Sequence, residues 1–166
     1  HPISLPLRKQ NSDLHRIDKQ LTYNNFKSLF LWKNRYFYGS TNGDTESVAN
    51  KIAIQLGIGK EDVHNVADTT PHAVQPYEVL LLGCSTWGVG EMQDDWNDFL
   101  FKLKDMDLKN KAVALFGCGD SVSFSSSFCD ALGVIYHELQ HTGLYFYGRS
   151  RPLWISFRWF RWSYRR

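Results

Sequence analysis

No run of apolar residues in this 166-residue chain approaches the roughly 18 needed to cross a bilayer, so no transmembrane helix is expected. The apolar stretch Leu29-Phe30-Leu31-Trp32 is also too short for the core of a signal peptide. Cysteine is scarce: three residues, no Cys-x-x-Cys pair, and an odd count. That argues against a disulfide framework and fits a reducing, cytoplasmic setting. Five prolines and twelve glycines exclude a collagen-like repeat. Arginine is missing altogether between Tyr38 and Gly148. What remains is ordinary for one globular domain, 43% apolar and 22% charged. The chain opens on His rather than Met and is expected to be a fragment.

The net charge of +2 conceals a segregation. Residues 38–148 hold six lysines and fifteen acids, a charge of −9. The two ends hold the other thirteen basic residues and two acids, Asp13 and Asp18. Three of the six tryptophans, Trp154, Trp159 and Trp162, crowd into the tail. Such a break separates segments of different kinds. The expected division is an irregular segment over 1–35, a domain over 36–148 and a basic aromatic tail over 149–166.

Within the middle, period and punctuation alternate. A turn at 39–43 opens a helix with Val48, Ala49, Ile52, Ala53 and Leu56 on one face, ended by Gly57 and Gly59. Residues 63–66 are a short strand candidate, and Val79-Leu80-Leu81-Leu82 reads as a strand buried on both faces. A helix is expected over 91–106, with Trp96, Phe99, Leu100 and Leu103 inward. Residues 112–116 form another apolar strand. Phe128, Ala131, Leu132, Ile135 and Leu139 form a helical stripe, and 144–147 one more strand. Strands alternating with helices predict β-α-β crossovers in a parallel sheet. In such sheets ligands sit outside the carboxyl ends of the strands.

The residues just after each strand therefore matter most. Ser40-Thr41-Asn42-Gly43-Asp44-Thr45 places hydroxyls, an amide and a glycine at a helix start, where free N–H groups suit a phosphate. The loop has no lysine, so it is not a nucleotide-triphosphate P-loop, and a plain N-cap turn is the alternative. Gly83-Cys84-Ser85-Thr86-Trp87-Gly88-Val89-Gly90-Glu91 puts a tryptophan in a glycine-rich loop, and Gly117-Cys118-Gly119-Asp120-Ser121-Val122-Ser123-Phe124 again ends on an aromatic. One phosphate-type loop and two aromatic-bearing loops describe a site for a planar ring with a phosphate tail.

These stretches resemble the flavodoxins. The matching residues are Tyr38-Gly39-Ser40-Thr41-Asn42-Gly43-Asp44-Thr45-Glu46-Ser47, Thr86 to Glu91 with Asp95-Trp96, Leu115 to Asp120, and Phe128 to Gly133. The resemblance covers roughly 36–148 and implies an α/β fold: an open parallel five-stranded sheet with helices on both faces, its C-terminal part incomplete. It implies non-covalently bound FMN and a low-potential one-electron carrier rather than an enzyme. It also implies a monomer whose partners are redox proteins, a flavodoxin reductase and an electron acceptor, not nucleic acid or membrane. By that resemblance, Ser40, Thr41, Asn42, Gly43, Asp44 and Thr45 wrap the phosphate. Ser85, Thr86, Trp87, Gly88 and Val89 line the ring, with Trp87 over one face. Phe124 stands where the family has Tyr on the other face. Cys118, Gly119 and Asp120 offer backbone contacts to the pyrimidine edge. Asp44 departs from the family, which often has Asn or Lys there, and its side chain is expected to point outward.

Both ends are read as out of frame. Trp has the single codon TGG. Read one base later, Trp154-Ile155 gives Gly and a codon open to Tyr, and Phe157-Arg158-Trp159-Phe160 can give Phe-Asp-Gly, like the long-chain loop of the family. Trp32 to Phe37, shifted likewise, can give the family's first strand. Two other functions compete with this reading. His137-Glu138-Leu139-Gln140-His141 matches the H-E-x-x-H helix of zinc metallopeptidases, but no His, Asp, Glu or Cys follows His141 to complete the ligand set. A flavodoxin-fold FMN reductase or quinone reductase is the other. Cys84 and Cys118 follow neighbouring strands and are expected to be inert buried thiols.

Overall fold

A computed structural model describes residues 34–146. The expectations for the ends lie outside these residues, except that Asn34 and Arg35 already belong to the first strand.

Six strands and three α-helices follow in order: β1 (Asn34–Gly39), α1 (Asp44–Leu56), β2 (Val63–Asn65), β3 (Val79–Trp87), β4 (Glu91–Met92), α2 (Asp95–Leu103), β5 (Ala112–Cys118), α3 (Asp130–Leu139) and β6 (Tyr145–Phe146). Short 3-10 turns occupy Lys60–Asp62, Val66–Asp68 and Pro71–Val74. The five long-path strands are all parallel, in the order β2-β1-β3-β5-β6. The order reverses direction between β1 and β3. A crevice therefore opens at their carboxyl ends, where Gly39, Cys84 and Gly117 lie side by side in register.

The alternation along each strand explains the continuous apolar runs. Phe37, Leu80, Leu82, Cys84 and Val113 face one side, against Trp96, Phe99, Leu100 and Leu103 of α2 and Ala131, Leu132, Ile135 and Leu139 of α3. Tyr36, Tyr38, Val79, Leu81 and Phe116 face the other, against Ala49 and Ala53 of α1. A sheet covered on both faces needs apolar residues at every position. Fully buried Leu80 and Leu82 contribute about 1.5–3 kcal/mol each. Trp96, also fully buried, anchors α2 by donating its indole N–H to the Gly83 carbonyl at 2.7 Å.

The element bounds differ from the sequence expectations in several places, β2 stopping at Asn65 and β5 running on through Cys118 among them. The expected helix over 91–106 begins only at Asp95 and ends at Leu103, because Glu91 and Met92 turn back as β4. The expected loop 83–91 is strand as far as Trp87, where β4 pairs with it antiparallel (Thr86 with Met92, Trp87 with Glu91). Phe128 is not on the inward stripe of α3; it precedes the helix and is 37% exposed. The last strand is Tyr145–Phe146, and Tyr147 lies outside the described residues.

Candidate functional site

Every loop singled out in the sequence sits at the carboxyl edge of the sheet. β1 delivers Ser40, half-buried, and the exposed Thr41 and Asn42. Gly43 then caps α1 with φ at 85°, a left-handed conformation that glycine takes without steric cost. Its carbonyl accepts the Ser47 amide at 2.9 Å and starts the helix. No side chain caps this end, so the first amides of α1 stay available to an anion. Asp44 is exposed. Thr45 is fully buried; its hydroxyl has no nitrogen or oxygen partner among the described residues, only the Cys118 thiol beside it.

Ser85 and Thr86 are half-buried near the end of β3 and Trp87 closes it, 38% exposed. The Trp87 indole donates to the Ser85 hydroxyl at 3.2 Å, which fixes how the ring leaves the strand. A tight turn follows, with the Gly90 amide bonded to the Trp87 carbonyl at 3.1 Å and Gly88 at φ 47°. The exposed Val89 lies at its tip. The Thr86 hydroxyl is a second buried oxygen with no nitrogen or oxygen partner among the described residues. β5 ends at Cys118, and the exposed Gly119 and Asp120 lead to Phe124, 43% exposed.

Two support groups escaped the sequence reading. Gln93 is almost fully buried beneath Gly39, with its amide bonded to Asp95 and its carbonyl oxygen unpartnered. A side chain at Gly39 would run into Gln93 and the Trp96 indole, so the end of β1 lies directly against the start of α2. Cys129, at the left-handed cap of α3, lies near both Cys84 and Cys118. Its position was unreadable because α3 was expected to start earlier. Burial pushes Cys84 up to about 12 and Cys129 up to about 11, and it also raises Cys118, so all three thiols stay protonated at neutral pH. Burial, then the Glu46 carboxylate bonded to it, pushes the Tyr38 phenol up to about 12 just below the first loop.

The H-E-x-x-H segment does not assemble a metal site. α3 ends at Leu139, so His141 falls beyond it, and Glu138 is bound by Lys104 at 2.7 Å. Among the described residues no group of three His, Cys, Asp or Glu side chains is placed to hold a metal.

The order of the sheet and the loops at its switch point define an open, doubly wound α/β protein with its ligand edge between β1, β3 and β5. The flavodoxin family model matches residues 37–151. The chain belongs to the flavodoxin family. It is 45% identical over 107 residues to flavodoxin 1 of Escherichia coli (strain K12), covering 64% of this chain and 61% of that protein. It is 41% identical over 104 residues to a flavodoxin of Buchnera aphidicola, covering 63% and 60%. The chain thus spans about 61% of the length of the curated relatives it matches. Among solved structures it is similar to the Fusobacterium nucleatum flavodoxin bound to flavin mononucleotide, with TM-score 0.64, 28% identity and 70% of each chain covered.

Proposed function

We propose that this chain is a low-potential one-electron carrier that holds FMN non-covalently at the carboxyl edge of β1, β3 and β5, and that it is not an enzyme. The observation that carries the reading is a chemical fit. Uncapped helix amides and the Thr45 hydroxyl stand ready for a phosphate, and two half-exposed rings, Trp87 and Phe124, stand nearby for a planar group. Flavodoxins are themselves a standing example of the rule that places the ligand at this switch point. Ser40 to Thr45 bind the phosphate through amides and hydroxyls. Trp87 and Phe124 cover the ring and keep water from it, with Ser85, Thr86, Gly88 and Val89 shaping the β3 side. Backbone groups of Cys118, Gly119 and Asp120 meet the polar edge of the ring. FMN, when bound, accepts and releases electrons one at a time. The −9 charge of residues 38–148 and the absence of a lysine in the phosphate loop oppose added negative charge on it, which favours a low potential.

The binding domain is assigned to residues 36–148 together with Asn34 and Arg35, which belong to its first strand, with residues 1–33 and 149–166 outside it as out-of-frame or truncated segments. The charge break at both boundaries supports this, and so does a family match that begins at residue 37. A monomer in the cytoplasm fits the three free thiols. Its partners are redox proteins, a reductase that supplies electrons and an acceptor that takes them.

Titration of the purified 166-residue chain with FMN tests the reading. One equivalent is expected to be taken up with quenching of flavin fluorescence. Trp87→Ala weakens binding by about 0.5–1.5 kcal/mol beyond the lost area. A chain that stays colourless at saturating FMN overturns the proposal.

A further inference from the structure

The loop that carries Phe124 has little else to hold it. Residues 121–126 are all exposed, so no core packing fixes their conformation. The loop is instead gathered onto one residue. The Asp120 Oδ1 accepts the Val122 amide at 2.8 Å and the Ser123 amide at 2.9 Å. The Asp120 carbonyl accepts the Phe124 amide at 3.1 Å. The Ser123 hydroxyl also reaches the Asp120 carboxylate, and together these donors hold the carboxyl below its ordinary range. The chain continues through the Ser127 amide on the Phe124 carbonyl at 3.2 Å and the Asp130 amide on the Ser127 carbonyl at 3.1 Å, which ties the turn to the start of α3.

We propose that the Asp120 carboxylate is a positioning residue, which folds residues 120–124 into the turn that presents the Phe124 ring to the ligand edge. The proposal rests on the reading of Phe124 as a ring over the flavin. It assigns the Asp120 side chain a task separate from the backbone contact expected of it. A carboxylate accepting two successive amides satisfies donors that an exposed serine-rich loop would otherwise leave to water. Without it the loop samples other conformations, and the ring must be ordered at the expense of binding.

Three substitutions, alone and combined, separate this role from that of a negative charge. Asn retains an oxygen that accepts both amides but removes the charge; Ala removes both. In FMN titrations, Asp120→Ala is expected to raise Kd about fivefold, while Asp120→Asn stays within about twofold of the parent. In a Phe124→Ala background, the added effect of Asp120→Ala is expected to fall below about twofold. Equal losses in the Asn and Ala variants would mean that charge acts instead. An undiminished loss in the Phe124→Ala background would mean that Asp120 does not work through the ring. Either result overturns the proposal. Amide hydrogen exchange at Val122 and Ser123 in the flavin-free chain gives a second readout. Exchange is expected to quicken in Asp120→Ala and not in Asp120→Asn, and exchange unchanged in the Ala variant overturns the proposal even if FMN is not bound. Failure of the parent to bind FMN would count against the carrier reading, while the exchange measurement still judges Asp120.

Discussion

The amino and carboxyl edges of the sheet are built to opposite rules. At the amino edge, cations end on defined partners. Lys111, only 8% exposed, donates to the Gln75 carbonyl at 2.7 Å and the Tyr77 carbonyl at 2.6 Å. Arg35 pairs with Asp62 at 3.2 Å, donates to the Glu61 carbonyl and lies 4.1 Å from the centre of the Tyr77 ring. The Tyr77 hydroxyl in turn donates to Asp62 at 3.3 Å. The closure leaves three atoms behind: among the described residues, Arg35 Nε, the Tyr36 hydroxyl and His64 Nε2 are buried without partners. At the carboxyl edge the loops 40–45, 85–91 and 118–124 hold no lysine or arginine. Threonine hydroxyls are left over, and two large rings stand half in solvent. Groups that satisfy one another stabilise the fold, whereas groups left available suit a ligand. Substitutions at the first edge should therefore cost stability, and those at the second should cost FMN affinity.

Lys111→Ala should show the largest effect. It strips the buried Tyr77 carbonyl and the part-buried Gln75 carbonyl of their lysine donor, at about 1–3 kcal/mol for an unsatisfied buried group. Desolvation lowers the lysine's pKa, a sign that burial already disfavours its charge, so the bonds to the carbonyls are what justify a lysine at this position. The urea midpoint is expected to fall while FMN affinity of the folded fraction holds. A loss of affinity matching the loss of stability would erase the contrast between the edges.

Gly88→Val tests the opposite edge. Its φ of 47° is a conformation that a β-branched residue resists, at about 1–2 kcal/mol. The new Cβ would also lie 3.1 Å from a Glu91 carboxylate oxygen. The strain should loosen the turn that sets Trp87. FMN affinity is expected to drop by about that amount. The urea midpoint is expected to move less than for Lys111→Ala. A midpoint shift as large as that of Lys111→Ala would show the turn to be part of the structural frame.

Much of this arrangement is legible in the sequence, for reasons that differ by element. The four apolar residues Val79 to Leu82 announce a strand covered on both faces, and the small-residue loops after β1 and β5 announce the ligand edge. Periodicity fails where a strand turns back on itself. Glu91 and Met92 read as the start of a helix because their acid and apolar side chains fit its first turn, but Gly88 and Gly90, both at positive φ, return the chain along β3. Side-chain bonds to the backbone are the least legible, since nothing in Asp120-Ser121-Val122-Ser123 says that the carboxylate folds over its own loop. Nor does the sequence place Cys129 beside Cys118, because their proximity depends on where α3 begins.

The smallest predicted effect belongs to Asp44→Asn, where the two rules meet in one residue. Asp44 lies in the first turn of α1, where a negative side chain favours the helix by about 0.3–1 kcal/mol. The same carboxylate stands in the loop that would receive a phosphate, and like charges oppose each other there. Removing its charge should therefore move the two measurements in opposite directions. The flavin-free chain loses a few tenths of a kcal/mol, and FMN binds more tightly by about 0.3–1 kcal/mol. Because Asp44 is exposed, both shifts should shrink as salt rises and the screening length falls below about 10 Å. Comparing parent and variant titrations at low and high salt gives the sign directly. If Asp44→Asn weakens FMN binding at low salt, the carboxylate helps to order the loop, and the carboxyl edge is less open than the contrast with the amino edge requires.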